Sequence, residues 1–275
     1  MTVKNHLKRN PYVQCPRIDS VEKLLKTVPV TNFVRGSGQA TQRLNLLESL
    51  YRSWVKDIVD LEDFEHCYFV NGVTDALNQW VATENRNWQY LEGDYEYANM
   101  ISGKGTKTKY INNTDVLYIS NPACATGNFI DIKDIPNPVI LDCAYIGSTE
   151  KRKIVLPKNT EQIWFSFSKG WGLIGQRAGL VFSKQPHKSL DPMKRVEGWN
   201  YTSVEIALAI VKTYDIDTIA SEYKPVQRRI CEKYSLEPSD CFFIATSEND
   251  EYAVRRRAGD IARLDLSYIM NKENE

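Results

Sequence analysis

The sequence has no excess charge of either sign. Its 35 basic and 35 acidic side chains give a formal net charge of zero. Proteins that bind nucleic acids generally need a basic excess to neutralise phosphates, so we expect no nucleic-acid partner. The apolar runs are too short to span a bilayer, which predicts no membrane partner. The basic amino terminus is not followed by an apolar stretch, and this lack of a secretory signal favours a cytoplasmic location.

Histidine and paired cysteine are also scarce. The chain has only three histidines, which lie far apart, and its six cysteines include no Cys-x-x-Cys pair. We therefore expect reduced, mostly buried thiols rather than a disulfide framework or a zinc site. With no ligand spacing among the histidines, we also expect no metal cofactor.

The sequence does show the pattern of an α/β protein. Short runs that are apolar almost throughout alternate with helical or turn-rich segments, as in parallel strands covered on both faces. The predicted strands cover residues 67–70, 88–91, 116–119, 139–141, 163–165 and 179–182. Helical spacing of apolar residues predicts helices over residues 40–59 and 73–83, and a long helix after Trp199.

The carboxyl-terminal part of the chain has a different pattern. Residues 241–245 and 261–266 resemble strands, and the second segment alternates apolar and polar residues as a half-exposed strand does. This change predicts a smaller domain after a boundary near residue 200.

The most informative segment spans residues 163–179. A predicted strand ends in Ser166-Phe-Ser-Lys169, and glycines, Arg177 and another strand follow. A lysine among hydroxyls and glycines at a strand end is suited to a covalent bond with a carbonyl cofactor. Taken alone, however, Lys169 is more simply interpreted as a loop lysine beside a glycine-rich turn.

Three other predicted strands also end in polar residues. One leads into Asn71-Gly-Val-Thr74 at a helix amino terminus, where free backbone N–H groups bind phosphate. Another is followed by the loop Ser120-Asn-Pro-Ala-Cys-Ala-Thr-Gly127, and a third ends in Asp142-Cys-Ala-Tyr145. Ligands of an open α/β sheet gather at the carboxyl ends of its strands, so these ends predict a single ligand site.

In this order the four motifs resemble the class I/II aminotransferases, which are fold-type I pyridoxal-phosphate enzymes of the aspartate aminotransferase superfamily. The resemblance covers residues 71–182 and extends to the region of Arg263. It implies a mostly parallel, seven-stranded sheet between helices in a large cofactor domain, residues 41–200. Residues 1–40 would contribute to the small domain and the substrate pocket, and residues 201–275 would form a reduced small α+β domain. The resemblance also implies a homodimer.

The resemblance assigns roles at the cofactor. Lys169 would hold pyridoxal phosphate as a Schiff base and move the substrate's α-proton, while Asp142 would pair with the protonated ring nitrogen. Tyr145 would hydrogen-bond the ring phenolate oxygen. Tyr95 would stack on the ring, with Tyr97 as the competing choice. The phosphate would be held by the backbone of Val73 and the side chains of Thr74, Ser166, Ser168 and Arg177.

Other positions are assigned to the substrate. Arg263 would clamp the α-carboxylate through two parallel hydrogen bonds. Arg35-Gly-Ser-Gly38 sits where the family has a glycine-bearing segment that lines the substrate pocket, so Gly38 is a candidate contact and Arg35 is the next candidate for the clamp. The run Arg255-Arg-Arg257 is predicted to be a solvated charge run.

Cys124 departs from the family pattern. Most relatives have an asparagine there that hydrogen-bonds the ring phenolate oxygen, and a thiol is a weaker donor. Cys124 would still contact the cofactor, but Tyr145 would be the main donor to this oxygen. The chain is also shorter than a typical relative, and the shortened regions are those on which substrate selectivity often depends.

These residues predict an aminotransferase that moves an amino group between an amino acid and a 2-oxo acid. One alternative is another pyridoxal-phosphate reaction on the same fold, as in a decarboxylase, a lyase or an oxidase. A second is a cofactor-binding protein with little catalysis, against which the intact pair Lys169 and Asp142 argues. A third, an unrelated α/β protein that matches by accident, is disfavoured by the order of the motifs.

Overall fold

The computed structural model describes residues 3–10, 13–29, 33, 36–101, 103–173 and 175–273. The helices in these ranges are α1 (Val3–Arg9), α2 (Asp19–Leu25), α3 (Gln39–Val55), α4 (Val73–Thr83), α5 (Glu96–Met100), α6 (Leu190–Arg195), α7 (Tyr201–Thr213), α8 (Thr218–Tyr234) and α9 (Ser267–Glu273), with a 3-10 helix at Asp250–Arg255. The strands are β1 (His66–Val70), β2 (Trp88–Leu91), β3 (Gly105–Thr108), β4 (Val116–Ser120), β5 (Val139–Cys143), β6 (Thr160–Ser166), β7 (Gly179–Ser183), β8 (Glu237–Pro238), β9 (Ile244–Ser247), β10 (Arg256–Ala258) and β11 (Ile261–Asp265). Among the described residues, no helix combines the length and apolar character needed to cross a membrane.

A seven-stranded sheet forms the larger part of the fold. Its strand order is β1-β7-β6-β5-β4-β2-β3, and β2 to β6 are parallel, whereas β7 runs antiparallel to both neighbours. The predicted α/β class with a mostly parallel, seven-stranded sheet between helices is confirmed. Strand β3, Gly-Thr-Lys-Thr, was not predicted because it is a polar edge strand without an apolar run.

Both faces of this sheet are covered. Along β5, Leu141 and Cys143 belong to a core cluster on one face, whereas Ile140 belongs to a cluster on the other. The first cluster includes the apolar sides of α3 and α7, and the second includes that of α4. Strands β4, β5 and β7 are buried along their whole lengths, which explains why their sequences are continuous apolar runs.

A smaller antiparallel sheet lies near the carboxyl terminus, with strand order β10-β11-β9-β8. The prediction that β11 is half-exposed is wrong. Only Ile261 is exposed, and the polar residues Arg263 and Asp265 are buried. The predicted strand at residues 241–245 lies slightly later in the chain, as β9.

One helix is shorter than predicted. The apolar spacing that predicts a helix to residue 59 continues through Ile58 and Val59, which are buried, but α3 ends at Val55 and these two residues follow in a turn. The long helix predicted after Trp199 is α7, whereas α8, which follows it, was not predicted. Apolar periodicity identifies which residues are buried and leaves the end of the helix undetermined.

Candidate active site

The polar strand ends lie at one edge of the large sheet. Ser120 at the end of β4 is the register partner of Asp142 in β5, and these strands are parallel to β6, which ends at Ser166. Ser166 pairs with Gly179 of β7, and Gly179 also pairs with Val70 at the end of β1. The four motifs found in the sequence therefore converge along this edge.

Asp142 is buried and accepts two hydrogen bonds. The Tyr118 hydroxyl donates to its carboxylate at 2.6 Å, and the Ala144 amide donates at 2.8 Å. Burial raises the pKa of Asp142 to about 7, although the Tyr118 bond opposes this shift. The charge of Asp94 also raises it, and that of Lys169 lowers it. A carboxyl group in this state would become ionised next to a cationic ligand atom.

Lys169 follows the end of β6 and is surrounded by other parts of the chain. Its Nζ donates a hydrogen bond to the backbone carbonyl of Val13, in the amino-terminal segment. Burial lowers the pKa of Lys169, opposed by the charges of Cys124 and Asp265. A lowered pKa favours the neutral amine, the form that attacks a carbonyl carbon.

Three of the predicted site residues meet beside this lysine. Arg263 Nη1 donates to the Cys124 carbonyl at 2.6 Å and lies 3.4 Å from both Cys124 Sγ and Tyr145 Oη. All three side chains are buried. Cys124 Sγ thus accepts from a guanidinium, whereas the sequence analysis considered its thiol only as a donor.

A second group of residues surrounds the amino terminus of α4. The N-cap residue Gly72 has φ +78° and provides no side-chain acceptor for the first helical N–H groups. A Cβ at Gly72 would lie 3.0 Å from Arg177 Nη2, so the guanidinium packs directly on the glycine backbone. A helix amino terminus and an adjacent arginine together favour an anionic ligand.

The hydroxyl groups predicted to bind phosphate lie at or near this helix terminus. Thr74 Oγ1 and Tyr95 Oη are 2.9 Å apart, and the Ser168 amide donates to Ser166 Oγ at 3.1 Å. Ser168 Oγ is buried and has no hydrogen-bond partner within the described part of the chain. A buried hydroxyl without a partner is costly, and an anionic ligand oxygen would satisfy it. These residues therefore fit the phosphate group of pyridoxal phosphate.

The structure also separates the two candidate tyrosines. The Tyr97 hydroxyl donates to Asn78 at 3.0 Å, one turn further along α4 than the Thr74 contact of Tyr95. Tyr95 thus contacts one of the residues predicted to bind phosphate, whereas Tyr97 contacts a residue farther along the helix.

The prediction that residues 255–257 form a solvated charge run is wrong for Arg257. Its side chain is 13% exposed, with Nη1 3.7 Å from Cys124 Sγ and Nη2 donating to the Asp94 carbonyl at 3.0 Å. The same side chain forms an ion pair with the exposed Glu96, at 3.3 Å. This arginine therefore faces the site.

Gly38 is the N-cap residue of α3, and a Cβ added to it would meet nothing within 4 Å. The carboxylate of Glu197 accepts there from the amides of Gly36 and Thr41. The substrate role of Gly38 stays a prediction, and Arg35 lies outside the described residues. Val13 is instead the amino-terminal residue in contact with Lys169.

Asp265 is a buried carboxylate near Lys169 that the sequence analysis did not select. It accepts from Asn10 Nδ2 at 2.7 Å and from Ser267 Oγ at 2.8 Å, and thereby links the amino-terminal region to β11. Burial raises the pKa of Asp265 to about 6. Its place beside Arg263 on the polar side of an alternating strand is the signal that could have identified it.

Solved structures share this arrangement of strands and helices. No protein-family model and no curated protein matches the sequence. Histidinol-phosphate aminotransferase from Sinorhizobium meliloti, in complex with pyridoxal-5'-phosphate, is 14% identical, with a TM-score of 0.63 over 94% of this chain and 87% of that one. The aromatic aminotransferase from Pyrococcus horikoshii is 14% identical, with a TM-score of 0.65 over 99% and 94%. The chain has the fold of the class I/II aminotransferases.

This fold is not restricted to transamination. The L-threonine-O-3-phosphate decarboxylase from Porphyromonas gingivalis is also 14% identical, with a TM-score of 0.60 over 96% of this chain and 97% of that one. At these identities the similarity establishes the fold, and the reaction has to be inferred from the residues of the site.

Proposed function

We propose that this chain is a pyridoxal-phosphate-dependent aminotransferase that moves an amino group between an amino acid and a 2-oxo acid. The observation that carries the proposal is the meeting of two features at one sheet edge. One is a buried lysine of lowered pKa near a buried carboxyl, Lys169 and Asp142. The other is an anion-binding group with an unpartnered buried hydroxyl, that of Ser168.

The residues of the site divide the work of holding such a cofactor. Lys169 Nζ would form the covalent bond, and Asp142 would hold a proton on the ring nitrogen. Arg177, the amino terminus of α4 and the serine and threonine hydroxyls would bind the phosphate. When bound, pyridoxal phosphate supplies a ring that withdraws electrons from the α-carbon of the amino acid.

The same residues would handle the substrate. Arg263 would orient the α-carboxylate, and Tyr145 and Cys124, which its guanidinium contacts, would flank the ring oxygen. Lys169 Nζ would accept the α-proton of the amino acid and return it, since its lowered pKa favours the neutral base.

Borohydride reduction tests the cofactor assignment. Purified protein is loaded with pyridoxal phosphate, reduced and mapped by peptide mass spectrometry, with Lys169→Ala as the control. We expect a yellow protein and a label on Lys169 alone. A label on another lysine, or no label, would contradict the assignment.

Product analysis tests the reaction itself. With one amino acid and one 2-oxo acid present, transamination yields the new amino acid and the new oxo acid without gas release. The similarity to a decarboxylase makes decarboxylation the second candidate, and labelled carbon dioxide released from a carboxyl-labelled amino acid would support it. Screening amino donors singly, by the colour change of the loaded protein, would then identify the substrate.

We also propose that the protein is a cytoplasmic homodimer. The dimer is inferred from the class I/II aminotransferases that the motifs resemble, whose active sites lie at the subunit interface. Light scattering coupled to size-exclusion chromatography measures the mass directly. A mass near 31.6 kDa, that of one chain, would contradict the dimer.

A further inference from the structure

The loop of residues 93–95 packs against two other parts of the site. Gly93 has φ +87°, and a Cβ added to it would lie 2.8 Å from Ala258 Cβ in β10 and 3.1 Å from Ala125 Cβ. A side chain at this position would collide with both neighbours. The loop backbone therefore contacts the small sheet and the loop that carries Cys124.

The next residue, Asp94, directs a buried carboxylate into this junction. The carboxylate accepts from the Ser120 amide at 3.0 Å, from the Ser120 hydroxyl, and from the Tyr95 amide at 2.7 Å. Three donors offset much of the cost of burying the charge. An asparagine could not replace this group without directing its NH₂ at another donor.

These hydrogen bonds hold Tyr95, a predicted cofactor contact, and Ser120, the neighbour of Asp142 in the sheet. Tyr95 is held by its backbone at Asp94 and by its hydroxyl at Thr74, 2.9 Å away. Ser120 is the register partner of Asp142, and the following amide, that of Asn121, donates to the Asp142 carbonyl at 2.9 Å. Asp94 therefore connects the tyrosine to the strand next to Asp142.

Arg257 extends this connection to the small sheet. Its Nη2 donates to the Asp94 carbonyl at 3.0 Å, and its Nη1 lies 3.7 Å from Cys124 Sγ. Arg257 belongs to β10, and the adjacent strand β11 carries Arg263, the predicted carboxylate clamp.

We propose that Asp94 is a positioning residue. Its carboxylate sets Tyr95 and the end of β4 relative to Asp142, and Arg257 keeps this arrangement in register with the hairpin that carries Arg263. The roles of Tyr95 and Asp142 at a cofactor rest on the proposed function, but the hydrogen bonds of Asp94 do not. The two parts can therefore be tested separately.

The first test uses cofactor-free protein and amide hydrogen exchange. In Asp94→Asn we expect the amides of Tyr95 and Ser120 to exchange roughly ten- to a hundred-fold faster, because both lose a charged acceptor. Asp191→Asn is the matched control, since it alters a carboxylate that bonds a tyrosine, Tyr68, elsewhere in the fold. It should leave both amides unchanged. Equal exchange in Asp94→Asn and the unmodified protein would overturn the proposal.

The second test uses protein loaded with pyridoxal phosphate. The visible circular dichroism signal per bound cofactor reports how firmly the ring is held. We expect this signal to be several-fold weaker in Asp94→Asn, although the variant still binds the cofactor. Ser120→Ala, which removes one donor, should give a smaller loss and serves if Asp94→Asn fails to fold. Unchanged dichroism in both variants would overturn the positioning role. If the unmodified protein binds no pyridoxal phosphate, the proposed function fails, and the exchange test still decides whether Asp94 holds the loop.

Discussion

Replacing Asp142 with asparagine should stabilise the cofactor-free protein at alkaline pH. Burial raises the pKa of Asp142 from 3.8 to about 7, so the folded protein binds this proton more tightly than the unfolded chain does. The contribution to stability is complete below the unfolded pKa and is lost as the pH rises through the folded pKa. At about 1.4 kcal/mol per pKa unit, a difference of about 3 units limits this loss to about 4 kcal/mol.

Asparagine removes the titration but also costs a hydrogen bond. The amide oxygen can accept from Tyr118 or from Ala144, but the NH₂ group accepts from neither, whereas both oxygens of the carboxyl group accept, so the variant loses about 1 kcal/mol. Near pH 4 the two proteins should therefore differ by about 1 kcal/mol, with the variant less stable. At pH 8 the variant should be more stable by roughly 2–3 kcal/mol.

Urea unfolding of cofactor-free protein across pH 5–8 measures this difference. The free energy of unfolding of the variant, relative to that of the unmodified protein, should rise by up to about 1.4 kcal/mol per pH unit below pH 7 and then level off. Asp265, with a pKa of about 6, titrates in the same pH range, but it is present in both proteins. The difference between the two proteins therefore reports the titration of Asp142 alone. A difference that does not vary with pH, or that falls as pH rises, would refute the reasoning.

The order of stability should reverse when pyridoxal phosphate is added. A neutral amide cannot pair with a protonated ring nitrogen, so thermal unfolding should show less stabilisation of Asp142→Asn than of the unmodified protein. Turnover should fall to a small fraction, because the proton on the ring nitrogen is lost. Equal stabilisation with near-normal turnover would place Asp142 away from the ring.

Two other substitutions test the substrate and ring contacts. Arg263→Lys should lower kcat/KM for α-amino acids about ten- to a hundred-fold, because an ammonium cannot make two parallel bonds to a carboxylate. Amines without the carboxylate should change little; equal losses for both substrate types would make Arg263 structural, and no loss would place the clamp elsewhere. Cys124→Asn should move the colour transition of the loaded protein to lower pH, since an amide is a stronger donor to the ring oxygen. An unchanged pH titration of absorbance would show that this loop does not reach the ring.

The large sheet could be predicted because its strands combine local pattern with complete burial. The run Val-Ile-Leu before Asp142 supplies side chains to both core clusters, so almost every residue must be apolar. Strand β3 lies at the sheet edge and need not be apolar, so its residues show no hydrophobic pattern that would predict a strand. The end of α3 was missed for a related reason, because Ile58 is buried whether or not the helix continues.

The site residues at the strand ends were predictable because each motif is contiguous in sequence. Asp142 lies near the end of the apolar strand β5, and Lys169 follows shortly after the end of β6, which pairs with β5. The missed contacts join distant segments. Val13 lies 156 residues from Lys169, and Arg257 lies 163 residues from Asp94. No local pattern records such pairings, which depend on how the amino-terminal segment and the small sheet pack onto the large one.

Strand β11 shows where periodicity stops being informative. Its alternation correctly predicts one apolar and one polar face, and Arg263 and Asp265 lie on the polar face. Alternation alone does not distinguish a face in water from a face in a ligand site, since both require polar side chains. Here the polar face is buried, and the charges of Arg263 and Asp265 shift the pKa of Lys169 in opposite directions. Burying two charged side chains on one strand face costs free energy unless hydrogen-bond partners or a ligand compensate the charges. A buried polar face of this kind therefore indicates a candidate ligand site and not the protein surface.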